Sequence, residues 1–214
     1  MESGMPGLQG SEVHQITSLV LVHDGKLALI LDAPGSWSTI PGYTLMPAAL
    51  PAGKVARGEE PGMTVSRIAR EQLNRRVTII PSPHLYGPSS RHAVDRLMPD
   101  EGDRPTPLLR VERIVPDETS RRLITVIVRA YRVASCEDSQ AAPGASGLLW
   151  VTPRMLRNVL RGMPLGDALL LPGIAMEWWL ARAMPEDAML YVPAEFGERL
   201  LVRIAAKYGR DALG

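Results

Sequence analysis

The sequence predicts an α/β fold with an additional helical segment at its C-terminal end. Two observations support this class. Apolar, β-branched runs at 15–22, 27–31 and 123–133 have the length and composition of strands. Between them, a Gly-rich turn leads into Pro61 and an apolar periodicity over 65–73, which predicts a helix.

Length, composition and charge limit the possible functions. The chain has 214 residues, of which 45% are hydrophobic, enough for one large domain or one ordinary domain with an extra element. The net charge of +1 gives no overall field that favours nucleic acid or a membrane. Lys26, Lys54 and Lys207 are the only lysines among the 24 basic residues. Arg suits bidentate contacts with phosphate or carboxylate, although a coding bias toward Arg explains the same composition.

Cysteine content and hydropathy indicate a cytoplasmic protein. Cys136 is the only cysteine, so an intramolecular disulfide and a cysteine-built metal site are both excluded. The sequence has no apolar run of about 18 residues and no basic-then-apolar amino terminus, so it predicts neither a membrane span nor a signal peptide. We therefore expect a soluble protein of the cytoplasm.

The first elements form a hairpin. Residues 1–12 are Gly-rich and polar, and are expected to be flexible. The runs at 15–22 and 27–31 are joined by a turn with Asp24 and Gly25 at its tip, which is typical of a β-hairpin.

Two Pro- and Gly-containing segments are expected to be loops. Residues 37–50 are predicted to be a long connection rather than a strand. Residues 82–106 are predicted to be a long surface loop, and loops of this length are often functional. Trp37 is a candidate for stacking on a planar ligand, and the alternative is a residue of the core or its rim.

Strands and a second helix follow the first helix. We expect strands at 77–80, 108–115 and 123–133, with a turn at 116–120 between the last two. Small and polar residues at 135–147 predict a flexible connector.

The C-terminal part begins with a strand that leads into a helix. Residues 148–156 have this pattern, with Thr152 as the expected helix cap and Pro153 at the first helical position. Beyond residue 162 we expect helices at 174–183 and 195–208. Because Trp178 and Trp179 point in different directions on a helix, one is a candidate contact with a second copy of the chain.

The turn and helix that follow residue 50 resemble the Nudix box of the Nudix (MutT-like) hydrolase superfamily. The family pattern is G-x5-E-x7-R-E-U-x-E-E-x-G-U, where U is aliphatic. Read without gaps, the sequence supplies the opening glycine, the first glutamate, the arginine, one aliphatic residue and the first member of the glutamate pair. These are Gly53, Glu59, Arg67, Ala69 and Glu71.

The box is degenerate at four positions. Ile68 stands where the family has the glutamate after the arginine, and Gln72 where it has the second member of the pair. Asn74 replaces the last glycine, and Arg75 replaces an aliphatic residue. An alignment that takes Arg70 and Glu71 as the Arg-Glu pair needs three inserted residues and places Asn74 and Arg75 on the glutamate pair, and one that starts at Trp37 places Ala48 on the first glutamate. No alignment restores the full acidic set.

Sequence on both sides of the box adds to the resemblance. Residues 50–55 are similar to the family's usual opening LPGGKV. Residues 148–156 are similar to a later part of the family, where a strand ending in Trp-Val or similar is followed by a helix with a Pro near its start. The resemblance implies a Nudix-like mixed sheet sandwiched between helices. It divides the chain into a flexible 1–12, a Nudix-like domain at 13–162, and a C-terminal helical extension at 163–214 that packs on this domain or on a partner.

The resemblance implies a metal-dependent pyrophosphohydrolase that acts on a nucleoside diphosphate linked to another moiety. The implied catalytic residues are Glu71, Arg67 and Glu59, with Glu59 pairing with Arg67. The implied ligands of Mg²⁺ or Mn²⁺ are Gly53, through its carbonyl, Glu71 and Gln72. A metal lowers the pKa of bound water and stabilises phosphoryl oxygens. Since two carboxylates of the pattern are missing, the ion would be held weakly and would depend on the substrate phosphates.

Several residues outside the box are candidates for a general base or for substrate contact. The family's base lies on a later loop, and position alone makes Glu112, Asp117 and Glu118 candidates. His84 and His92 are candidates for proton transfer or substrate contact.

Two other functions stay open beside the hydrolase. The first is a catalytically inactive Nudix-fold protein that binds a nucleotide or a partner protein, which the missing carboxylates favour. The second is an oligomeric scaffold that depends on the C-terminal helices. Whichever applies, we expect a nucleotide-like small molecule as ligand, no nucleic acid, no membrane, and a homodimer formed through those helices. An ordinary ion pair with neighbouring arginines is the competing explanation of Glu71.

Overall fold

The computed structural model describes residues 12–90, 93–117, 122–135, 141–142, 144–181, 183–185, 187–193, 198–209 and 212–213. Some sequence predictions fall outside these ranges. They are the flexible segment at 1–11, most of the turn at 116–120, residues 136–140 and 143 of the predicted connector, residues 195–197 of the last predicted helix, and the side chains of His92, Glu118 and Cys136.

The described residues form fourteen strands, all connected in one mixed sheet. The strands are β1 Val13–His23, β2 Lys26–Asp32, β3 Ser38–Ile40, β4 Tyr43–Ala49, β5 Ala52–Lys54, β6 Val77–Ile80, β7 Leu85–Pro88, β8 Val94–Leu97, β9 Leu109–Pro116, β10 Leu123–Ser135, β11 Ala145–Val151, β12 Met163–Pro164, β13 Ile174–Trp178 and β14 Ala188–Tyr191.

Four α-helices accompany the sheet in the described residues. They are α1 Pro61–Ile68, α2 Pro153–Val159, α3 Leu165–Leu169 and α4 Glu198–Tyr208. Helix α1 continues directly into a π-helical turn at Ala69–Leu73. Short 3₁₀ turns lie at Pro34–Ser36 and Glu101–Asp103.

The long strands β1 and β10 organise the sheet. They pair in parallel from Val13 opposite Thr125 to Leu21 opposite Val133. On its other side β1 pairs with β5 in antiparallel fashion, while β10 pairs with β9 and β6. The end of β1 turns into β2, which pairs with β4 and β11.

Alternate residues of the central strands face two separate apolar cores. Leu19 and Leu21 of β1 belong to one core, and Val20 between them belongs to the other. Residues 27–31 of β2 and 148–151 of β11 alternate in the same way. Because successive side chains of a strand point to opposite faces, these strands are covered on both sides.

Helices cover both faces, so the predicted α/β fold with a mixed sheet between helices is confirmed. Val65, Ile68 and Leu73 pack into the core on the face of α1. Helices α2 and α4 close the opposite core with apolar residues that are completely or almost completely buried. They are Leu156, Val159, Leu200, Leu201 and Ile204.

Most sequence-predicted strands and helix starts are confirmed. The β1–β2 hairpin turns at Asp24 and Gly25, whose φ angles of 49° and 69° match the left-handed turn that favours this pair of residues. Pro61 and Pro153 occupy the first turns of α1 and α2. Thr152 is at the expected cap position, but its side chain makes no capping hydrogen bond.

Two segments predicted to be loops contain strands, so those predictions are wrong. Residues 37–50 form the β3–β4 hairpin, which turns at Gly42 with φ 86°. Pro47 lies opposite Tyr191 at the end of the β14 pairing, and β2 pairs with β4 only beyond it, at Ala48 and Ala49. Residues 82–106 contain the β7–β8 hairpin.

Gly87 is one of the glycines that led to the prediction of a loop at 82–106. A Cβ at this position would lie 2.4 Å from Leu97 Cδ1 and 2.7 Å from the backbone oxygen of Arg110. This glycine allows close packing between strands, whereas the sequence suggested a loop.

The helix predicted at 174–183 is also wrong. Ile174–Trp178 is strand β13, which pairs with β11, and Ala188–Tyr191 is strand β14, which pairs in parallel with β4. The prediction failed because a short apolar run fits either a helix or a strand until its partner strand is known. The last predicted helix is confirmed over Glu198–Tyr208.

Both adjacent tryptophans of this region pack within the described chain. Trp178 lies against one apolar core and 6.4 Å from the ring of Trp37, and Trp179 lies against the other core. The homodimer through the C-terminal residues stays a prediction. Among the described residues, no helix has the length and apolar character needed to cross a membrane.

The pairing of β11 with β13 predicts that Gly147→Ala destabilises the fold. The added methyl group would lie 2.1 Å from the backbone oxygen of Glu177, so the two strands must separate. We expect the free energy of unfolding, measured by urea denaturation, to fall by about 1–3 kcal/mol. Gly35→Ala is the matched control because its Cβ meets no atom within 4 Å. An unfolding free energy of Gly147→Ala equal to that of Gly35→Ala would contradict this pairing.

Candidate functional site

The box begins on β5, at the edge of β1. Gly53 lies opposite Thr17 in an antiparallel register, and backbone hydrogen bonds from Leu19 N to Pro51 O and from Val55 N to Gln15 O flank this pair. The glycine carries no side chain that could separate β5 from the helix behind it. The opening of the box is therefore fixed in position by the sheet.

A salt bridge joins the turn of the box to α1. Arg67 donates through Nε and Nη2 to the two carboxylate oxygens of Glu59, both at 2.9 Å. Its Nη2 also donates to the backbone oxygen of Lys54 at 2.7 Å. Glu59 accepts a further hydrogen bond from the backbone N–H of Ala56. The resemblance implied this pairing of Glu59 with Arg67, and the hydrogen bonds confirm it.

These contacts stabilise the ionised form of Glu59. Hydrogen bonds from Arg67, and after them the one from Ala56 N–H, lower its pKa from 4.5 to about 2. The side chain is only 10% exposed. Glu59 thus holds the loop against the helix and has no free oxygen that points away from Arg67 and Ala56.

Ile68 occupies the position of the family's first helix glutamate and lies in the core. It is fully buried among the apolar residues of its core. Its Cγ1 would lie 3.1 Å from a Cβ at Gly53, so the two residues are in tight contact. A carboxylate could not replace this side chain without desolvating a charge.

Gln72 occupies the position of the second glutamate of the pair and binds the backbone of β5. Its Nε2 donates to Ala52 O at 2.7 Å, and its Oε1 accepts from Ala52 N at 3.0 Å. The side-chain amide of Gln72 therefore makes, with Ala52, the two hydrogen bonds that the backbone of a neighbouring strand would make. An ionised glutamate could accept the second bond but could not donate the first.

Asn74 explains a third departure from the family pattern. It has φ 49° and ψ 42°, the left-handed conformation that glycine adopts most easily at a helix end and that asparagine tolerates best among other residues. Its side-chain amide also donates to Ala141 O at 3.1 Å. Asparagine thus fulfils the conformational role of the family's glycine.

Glu71 is the acid of the box helix that remains at a metal position of the pattern. Its side chain is 57% exposed, and its nearest cation is Arg67 Nη1 at 3.5 Å. The residue lies in the π-helical turn, where i→i+5 hydrogen bonds rotate side chains away from their α-helical directions. Glu71 does not line the cavity beside the box.

The described residues of the box do not fit a firmly held divalent cation. Mg²⁺ needs oxygen ligands, usually carboxylates together with water and phosphate. Ile68 offers no ligand atom, Gln72 uses its amide oxygen on Ala52, and Glu71 faces solvent beside Arg67. No group of three or more His, Cys, Asp or Glu residues in the described ranges is arranged to hold a metal.

A cavity of about 320 Å³ lies on the other side of Gln72. Besides Gln72, its polar lining consists of Asp32, at the end of β2, and Glu198, at the start of α4 as described. The remaining lining is formed by small or apolar residues of β2, β4, β5 and β11 and the segments next to them. Two acids far apart in the sequence thus line one cavity beside the box.

Each acid is positioned by backbone contacts. Glu198 is 3% exposed, and its Oε1 accepts from Leu50 N at 3.2 Å. The backbone oxygen of Asp32 accepts hydrogen bonds from Trp37 Nε1 at 2.8 Å and Ser146 Oγ at 2.7 Å, which fix the end of β2. Burial raises the pKa of the Asp32 carboxyl.

Sequence reasoning missed both cavity acids. Asp32 looked like an ordinary strand end, and Glu198 looked like one of several charges on an amphipathic helix. The only available signal was an acid directly after the buried run of β2, and many surface strands share that feature.

The other sequence candidates lie elsewhere. Trp37 donates to Asp32 O and packs near Trp178, so it acts as part of the framework. His84 lies 6.2 Å from the ring of Tyr86. Neither His84, Glu112 nor Asp117 lines the cavity.

Comparison with solved structures finds Nudix and MutT hydrolases repeatedly. The E. coli ORF135 protein is 19% identical with a TM-score of 0.43, and the match covers 71% of this chain and 83% of that protein. A NUDIX family hydrolase from Clostridium perfringens is 14% identical with a TM-score of 0.40, and the match covers 69% of this chain and 86% of that one. The MutT protein from Methanosarcina mazei Go1 is 12% identical with a TM-score of 0.41, and the match covers 69% of this chain and 83% of that one.

The chain is similar to Nudix and MutT hydrolases. No protein-family model matches it, and no curated protein does.

The Glu59–Arg67 pair predicts a pH dependence of stability. The folded-state pKa of Glu59, about 2, lies below its ordinary value of 4.5, so the pair stabilises the fold fully above about pH 4.5. This contribution is lost as the pH falls toward 2. Urea unfolding between pH 7 and pH 2.5 should show Glu59→Gln less stable than the native chain at pH 7, with the difference shrinking in acid. Glu60→Gln, an exposed neighbour, should follow the native curve, and a constant Glu59→Gln deficit at all pH values would contradict the assignment.

The Gln72 contacts predict that restoring the family's glutamate destabilises this chain. In Gln72→Glu an ionised oxygen faces Ala52 O, so one hydrogen bond becomes a repulsion. We expect a loss of about 1–3 kcal/mol of unfolding free energy at pH 7, with recovery where the new carboxyl is protonated. Glu71→Gln, on the exposed neighbour, should change stability by less than about 0.5 kcal/mol. Equal stability of Gln72→Glu and the native chain at pH 7 would show that the amide contacts are dispensable.

Proposed function

We propose that this chain is a Nudix-fold binding or regulatory protein that holds a small molecule and does not hydrolyse it through a box-bound metal. The observation that carries this proposal is the use of the Gln72 side chain. Both ends of its amide bind the backbone of Ala52, so the residue in the family's glutamate position supports the loop.

The cavity beside Gln72 supports binding of a ligand. Its volume of about 320 Å³ is at the lower end of small-molecule sites, and it combines an apolar lining with a few polar groups. Asp32 and Glu198 make it acidic, so an unmetallated diphosphate would be repelled. A cationic ligand, or a neutral one that donates hydrogen bonds to carboxylates, matches the lining better.

The second candidate is a metal-dependent pyrophosphohydrolase of a nucleoside diphosphate linked to another moiety, as the resemblance implies. One observation favours it, namely that Asp32, Glu198 and Gln72 line one cavity. Mg²⁺ or Mn²⁺ often rests on one or two carboxylates and otherwise on substrate phosphates. In this case the acids missing from the box would be replaced by acids from β2 and α4.

One experiment separates these functions. The full chain is incubated with a panel of nucleoside diphosphate derivatives, with Mg²⁺, Mn²⁺ or EDTA, and product is measured together with the shift in Tm. The proposal expects no metal-dependent turnover in the native chain. It also expects that a ligand from a wider panel, which includes small amines, raises the Tm of the chain. Asp32→Asn or Glu198→Gln should reduce this rise in Tm.

Three variants assign the activity if turnover appears. Turnover that vanishes in Asp32→Asn and Glu198→Gln but survives in Glu71→Gln would establish the hydrolase with displaced acids. Turnover that vanishes only in Glu71→Gln would show that the metal binds at the box. Arg70→Ala, an exposed arginine on the same helical segment, serves as the control that should leave every result unchanged.

A further inference from the structure

A groove lined by four arginines lies between α2 and α4. We name it the arginine groove and define it by Arg154 and Arg157 of α2 and Arg199 and Arg203 of α4. Its volume is about 560 Å³, and its walls include the apolar side chains of Leu160 and Val202. It shares no lining residue with the cavity beside the box.

The arginines are brought together by helix geometry. Arg154 and Arg157 are three residues apart, and Arg199 and Arg203 are four apart, so each pair projects from one side of its helix. The contacts of Leu156, Val159, Leu200 and Leu201 in the core hold the two helices side by side. Packing of apolar residues therefore places four positive charges around one groove.

Placing Arg154, Arg157 and Arg199 around one groove is unfavourable without a counterion. In the described part of the chain, Arg154, Arg157 and Arg199 form no ion pair with a carboxylate. Like charges one turn apart on a helix destabilise it, and Arg154 lies in the first turn of α2, where the helix dipole disfavours a cation. The net charge of only +1 shows that the cluster is local and does not reflect a generally basic surface.

We propose that the arginine groove binds a small organophosphate with at least two phosphate groups. The planar guanidinium fork matches phosphate oxygens in a bidentate manner, and several forks around one groove suit several phosphates. The Leu160 and Val202 side chains provide an apolar wall for the organic part of the ligand. The volume lies within the range of small-molecule sites.

The surroundings favour a small ligand over a nucleic acid backbone. Lys207, which follows Arg203 by one turn of α4, is already paired with Asp95 and also donates to Val94 O. The four arginines of the groove span about one turn of each helix, whereas nucleic acid needs an extended basic stripe. The site is independent of the proposed function, since it lies on different residues.

The test uses the full chain with ADP and inorganic pyrophosphate as probes, in EDTA, by isothermal titration calorimetry at low and moderate salt. The double variant Arg154→Ala, Arg199→Ala should weaken ADP binding by at least about tenfold, and the native affinity should fall as salt rises. Arg70→Ala is the matched control and should bind as the native chain does. The ligand-free double variant should unfold at the same Tm or higher, because repulsion is relieved.

The outcomes decide between the proposal and its rivals. Weaker binding in the double variant, with normal binding in Arg70→Ala and in Asp32→Asn, supports the arginine groove. Unchanged ADP affinity in the double variant overturns it, as does the absence of any binding by the native chain at millimolar probe. If binding is lost in Asp32→Asn instead, the phosphates lie at the cavity beside the box, and this proposal fails while the question of the box function stays separate.

Discussion

The close contact between Ile68 and Gly53 is the constraint on which the rest of the box depends. It packs α1 against β5 and places the fully buried side chain of Ile68 where the Nudix pattern has an acid. A buried apolar residue at this point contributes to the core and cannot serve as a ligand. The helix therefore keeps its place in the fold while its chemistry changes.

The remaining contacts of the box serve the same structural end. The Glu59–Arg67 pair ties the turn to the helix, Gln72 ties the helix to Ala52, and Asn74 ends the π-helical turn in the left-handed conformation. Of the residues at the metal positions of the pattern, Ile68 lies in the core, Gln72 holds the loop and Glu71 faces solvent. The acids that line the cavity beside the box are Asp32 and Glu198, which lie on other elements.

The C-terminal residues take part in both surfaces that could bind ligands. Strands β13 and β14 join the same sheet as the central strands, and α4 packs on the core next to α2. As a result, one side of α4 supplies Glu198 to the cavity, while Arg199 and Arg203 face the arginine groove. A single helix thus borders both sites, although the two share no lining residue.

The sequence by itself determined the hairpin at Asp24–Gly25, the strands at 77–80 and 123–133, the Pro61 helix start and the Glu59–Arg67 pair, because these depend on local turn chemistry, periodicity and a motif of fixed spacing. Only the tertiary structure decided that 37–50, 82–106 and 174–178 contain strands, since a short apolar segment becomes a strand only when a partner edge is present. It also decided that Gln72 binds Ala52 and that Asp32 and Glu198 line one cavity. These arrangements involve residues distant in the chain, and side-chain direction across such distances is set by packing, which no local pattern records.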